Sequence, residues 1–124
     1  MDFSYWCVLA AIVLPITWAG VSKAGASGFD NARPRDYLAR LTGWRQRAYW
    51  AQSNAWEALA PFAAAVIIAH NTGVPAIRLN LLSGAFIVAR ILHGLLYIAD
   101  RPTLRSVVWS CGFLCVVLLF VAAA

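Results

Sequence analysis

Apolar residues fall into four long blocks along the chain, and most polar residues collect between them. The blocks cover about 3–21, 48–69, 76–99 and 104–123. Each holds roughly 20 residues, enough to cross a ~30 Å hydrocarbon core at ~1.5 Å per helical residue. A membrane strand alternates between lipid and lumen, and these blocks do not alternate, so the pattern predicts helices. The expectation is an all-α integral membrane protein: one four-transmembrane-helix domain over residues 1–124, with a basic loop at 22–47. No internal repeat is visible.

Composition strengthens this reading. Hydrophobic residues make up 62% of the 124 residues and charged ones 12%, about half the charge of an average soluble domain. The net charge of +5 is no nucleic-acid signature, because its distribution explains it. Lys23, Arg33, Arg35, Arg40, Arg45 and Arg47 lie in or beside the first loop, Arg101 and Arg105 lie at the third, and the second, 70-HNTGVPAIR-78, carries only Arg78. The positive-inside rule then sets loops one and three in the cytoplasm and both termini on the other side, as expected in a bacterial inner membrane. Asp2 is the only charge before the first block, so that block lacks the basic start of a signal peptide and is expected to be retained.

The first loop is expected to hold one short element. Pro34 can open a helix from about Arg35 to Leu41. Tyr37, Leu38, Leu41 and Trp44 would share its apolar face, which suits an interfacial helix held to anionic lipid by arginines. The same arginines could instead reach an anionic ligand. Cys7, Cys111 and Cys115 all fall within spans and imply no disulfide framework; they read as small hydrophobes. His70 and His93 lie at opposite ends of the membrane, so no metal or haem site is expected.

Ionisable residues inside spans are costly and point to function. In the second span Arg47, Trp50, Asn54, Glu57 and Pro61 step by three or four and share a face, as do Arg90, His93 and Tyr97 in the third. Both groups lie in the cytoplasmic half. Antiparallel packing would let Glu57 and Arg90 form an ion pair that fixes the helices. Such a pair needs two polar groups, and six or more are aimed at this level. Asn54, Glu57, Tyr97 and Arg105 are therefore read as a ligand site. Pro61 cannot donate to the carbonyl of Glu57, which predicts a kink beside the carboxylate.

This arrangement resembles the MAPEG family, the membrane-associated proteins in eicosanoid and glutathione metabolism. The match rests on Asn54, Glu57 and Pro61 in NAWEALAP, on Ala89, Arg90, His93 and Tyr97 in ARILHGLLY, and on Arg105-Ser106. The loop 30-DNARPRDYLARLTGWRQRA-48 is similar to the bacterial branch. The resemblance implies a homotrimer that binds glutathione at subunit interfaces near the cytoplasmic face. It implies a glutathione site of Asn54, Glu57, His93, Tyr97 and Ser106, with Arg105 stabilising the thiolate. Arg47 joins this set as the nearest basic residue upstream of Asn54. The implied activity is a glutathione-dependent membrane transferase or peroxidase acting on lipophilic electrophiles or hydroperoxides. Glutathione would be the co-substrate and no metal would be needed.

The physical chemistry fits. Arginines hold carboxylates in bidentate fashion, and a neighbouring arginine favours a thiolate. Two departures remove family features: Ser53 stands where animal members carry arginine, and Trp109 where a tyrosine is often found. Two other readings compete. One is a non-catalytic MAPEG-like protein that binds another ligand or a partner. The other is a small proton-coupled transporter, disfavoured because the first span has no acidic residue.

Overall fold

A computed structural model describes residues 1–124. It is all-helical: α1 (Phe3–Lys23), α2 (Pro34–Ala39), α3 (Gly43–Asn71), α4 (Ala76–Ile98) and α5 (Pro102–Ala123). α1, α4 and α5 are long and apolar enough to cross a membrane. α3 is longer still, at 29 residues, but its polar residues set it apart from that group. It begins at Gly43 rather than near residue 48, so the segment 44-WRQR-47 is its first turn and not loop. α2 takes Pro34 as its first residue and ends before Leu41. α3 runs through Pro61 as one continuous helix.

α1 lies along α3, α4 lies along α5, and α3 also packs on α4. The seam on α3 is built of small side chains: Ala48, Ala51, Ala55, Ala65 and Ala69 are all buried. Lipid tails are as apolar as any core, so membrane helices gain by close backbone approach, and alanine permits it. One large pair fills the middle of the core. Phe62 of α3 and Phe86 of α4 stack with centroids 3.8 Å apart and planes within 10°. Outside the core the surface is strongly apolar, with Ile77, Leu81 and Val121 each more than three-fifths exposed. Such a surface aggregates in water and belongs in a bilayer or against another apolar partner.

The turns bring the polar ends together. After α4 the chain reverses within a few residues. Asp100 takes a left-handed conformation at φ 56°, and the N–H of Arg101 donates to the carbonyl of Leu96 at 3.0 Å, which closes the helix end. Pro102 then starts α5 without an N–H to leave unpaired. This tight reversal sets Tyr97, on the last turn of α4, beside Arg105, on the first turn of α5. A β-carbon in the left-handed region is strained, by roughly 1–2 kcal/mol for most residues and less for aspartate. Asp100→Val, whose branched β-carbon fits this region worst, is accordingly expected to lower stability by about 1–2 kcal/mol, read as a lower unfolding midpoint in detergent.

Candidate functional site

Arg90 organises the site. It projects from α4 toward α3 and is 4% exposed. Its stem rests near Gly112 of α5, where a β-carbon would come within 3.8 Å of Arg90 Cδ. Its Nη2 donates to Asn54 Oδ1 at 2.6 Å, and Asn54 Nδ2 in turn donates to Glu57 Oε2 at a long 3.5 Å. The expected Glu57–Arg90 ion pair is thus replaced by a relay. Asn54 and Glu57 lie one turn apart on α3, and the asparagine sits at the depth the guanidinium reaches. No direct Glu57–Arg90 contact forms, and Glu57 stays exposed.

The consequence is testable. Asn54 is the sole hydrogen-bond partner of a buried cation. Removing one partner of a buried charged group costs about 1–3 kcal/mol or more. Asn54→Leu is expected to lower stability by at least that amount, while Asn54→Asp, which keeps an acceptor, should stay near the parent. Detergent-resistant thermal unfolding of the two variants distinguishes these outcomes.

Asn54 and Glu57 stand on the divide between two clefts. The first, of about 200 Å³, lies between α3, α4 and α5. Asn54, Glu57 and Arg90 form its polar end, and Ala58, Pro61, Phe86, Trp109, Phe113 and Val116 its apolar wall. The second, about 360 Å³, is more polar and is lined by Trp50, Ser53, Asn54, Glu57 and Tyr97. Trp50 and Tyr97 both line it, their rings tilted by 53° with centroids 6.2 Å apart.

Arg105 does not line the second cleft but touches a residue that does. Its guanidinium lies 4.2 Å over the Tyr97 ring, a cation–π contact that orients the group without consuming its N–H donors. Tyr97 is itself buttressed by His93, edge to face at 5.5 Å.

The remaining sequence candidates are placed differently. His93 is 3% exposed and lines neither cleft; it supports Tyr97. Ser106 donates to the carbonyl of Pro102 at 3.0 Å. Arg47 Nε donates to the carbonyl of Ile98 at 3.1 Å, capping the end of α4, where helical carbonyls lack partners. Arg45 does the same for the end of α1, donating to the carbonyl of Ala24 from Nε and Nη2. Sequence reasoning missed Phe86 and Phe113 as walls. Phe86 precedes Arg90 by one helical turn, and that spacing was the available signal.

A family model settles the classification. The model of the MAPEG family matches residues 3–124. The chain belongs to the MAPEG family. Neither the curated proteins nor the solved structures give a match. This MAPEG protein is integral to a membrane, and its family works in eicosanoid and glutathione metabolism with glutathione as a substrate. Within the MAPEG chain no group of three or more histidine, cysteine or acidic residues converges.

Proposed function

We propose that the protein is a glutathione-dependent membrane transferase or peroxidase, and that the cleft between Trp50 and Tyr97 receives the thiol substrate. The observation that carries this reading is the state of Arg105. Arg90 and Arg47 spend hydrogen bonds inside the chain. Arg105 is held by a ring face alone, that of the cleft residue Tyr97, so its N–H groups remain for a ligand bound beside Tyr97.

Glutathione has two carboxylates, an ammonium and a thiol. Glu57, exposed in this cleft, suits the ammonium or an amide N–H, and arginine suits an anion. A thiol with an ordinary pKa near ~8.5 is largely protonated at neutral pH, and a fixed guanidinium beside the sulfur shifts it toward thiolate. The thiolate then forms a C–S bond with an electrophilic carbon, displacing its leaving group or adding across an activated double bond. Alternatively it attacks the distal oxygen of a hydroperoxide, breaking the O–O bond to release an alcohol and a glutathione sulfenic acid. A second glutathione converts that acid to the disulfide and water. Apolar helix faces give such substrates a route from the bilayer. In this reading three copies assemble into a trimer, whose neighbours supply the carboxylate contact that Ser53 does not. α3 crosses the membrane with the other long helices, and both termini lie outside the cytoplasm of a bacterial inner-membrane protein.

Retention on immobilised glutathione, followed by conjugation across a panel of lipophilic electrophiles and reduction of a lipid hydroperoxide, tests the proposal. Retention together with either activity is expected. A folded protein that is neither retained nor active overturns it.

A further inference from the structure

Of the cleft between α3, α4 and α5 the reading above uses only Glu57, and the chemistry of the rest is specific. Its volume is about 200 Å³, and an apolar protein cavity of about 150 Å³ takes up benzene. One aromatic ring with a single polar substituent therefore fills it. The wall suits a ring. Phe86, Trp109 and Phe113 all line it, and the Trp109 and Phe113 rings lie parallel, centroids 5.5 Å apart and planes within 6°. Aromatic faces and edges favour an aromatic guest.

The polar end carries opposite charges. Arg90 is 96% buried by its 4% exposure, and its Nε is buried with no partner. A buried cationic donor with spare N–H groups calls for an acceptor. The Glu57 carboxylate lines the same cleft and calls for a donor. The two charges offset each other, so a neutral guest meets no net field. An anion would gain from Arg90 and be repelled by Glu57. A single hydroxyl both accepts and donates.

We infer that this cleft binds a neutral, single-ring phenol. The ring lies among Phe86, Trp109 and Phe113, and the hydroxyl accepts from the Arg90 guanidinium and donates to Glu57. This cleft shares Asn54 and Glu57 with the thiol cleft, so phenol is titrated without glutathione and the outcome does not depend on the proposed activity.

The test is calorimetric titration of the full chain in detergent micelles with phenol, toluene and benzoate, each corrected with empty micelles. Phenol is expected to saturate at one per chain and to bind at least about tenfold more tightly than toluene or benzoate, the worth of a paired hydrogen bond to charged groups. Ala58→Leu, which fills the cleft, should weaken phenol at least about tenfold, and Trp109→Leu, at an exposed position, should weaken it if the first variant fails to fold. Glu57→Gln removes the repulsion and should raise benzoate affinity about tenfold. Heats that never saturate, toluene binding as tightly as phenol, or phenol affinity unchanged in both cleft variants would each overturn the inference.

Discussion

Gly94→Ala is expected to destabilise the protein by at least about 3 kcal/mol, at or above the upper end for overpacking a core. A β-carbon at Gly94 would overlap Cζ2 and Cε2 of Trp18 and lie 2.7 Å from its Nε1. Trp18 cannot swing away cheaply. It is 6% exposed and packs with Ala51 and Ala55 of α3, with Tyr97 and Ile98 against the same cluster. The substitution would therefore push α1 from α4 and disturb Tyr97, which carries Arg105, and Ile98, which accepts from Arg47. Loss of stability and loss of the thiol site should appear together. Replacing the indole relieves the overlap, so Trp18→Leu combined with Gly94→Ala should recover at least about 1 kcal/mol relative to the sum of the single changes. Additive effects would show that the two helices are not in contact there.

Arg105→Ala is expected to lower turnover with a fixed electrophile by about 10²–10³-fold, the usual loss when one preorganised stabiliser of developing or resident negative charge is removed. The drop should fall in kcat more than in KM for glutathione, because Arg105 acts on sulfur charge while Glu57 and the cleft walls still bind the peptide. Arg105→Lys should retain part of the rate, since a cation remains, though not its planar stacking on Tyr97. Tyr97→Leu should give an intermediate loss with an intact fold: the guanidinium would keep its charge and lose the ring that fixes its position. Unchanged kcat in Arg105→Ala would remove this residue from the chemistry.

Much of this architecture was legible as periodicity. Apolar blocks long enough to span, punctuated by Gly73-Val74-Pro75 and Arg101-Pro102, mark where the long helices end, because glycine and proline act on the backbone directly. The one-turn spacing of Asn54 and Glu57, and of Arg90, His93 and Tyr97, placed the polar groups on common faces. What periodicity cannot set is which atoms meet across helices. A shift of one turn decides whether Asn54 or Glu57 reaches Arg90, and that shift depends on how α3 packs against α4. Arg47 was read as a ligand contact, yet it donates to Ile98, 51 residues away, a pairing no local pattern encodes. Trp18 against Gly94 was half legible: a glycine inside ARILHGLLY asks for a close neighbour, but nothing in the sequence names the indole.

The central claim is that glutathione binds beside Arg105 as its thiolate. It is tested most directly by titrating the purified protein with glutathione near neutral pH and following ultraviolet thiolate absorbance. A saturable rise that disappears in Arg105→Ala, with glutathione still bound, is the predicted result. Binding without any thiolate signal, or the same signal in Arg105→Ala, would contradict it.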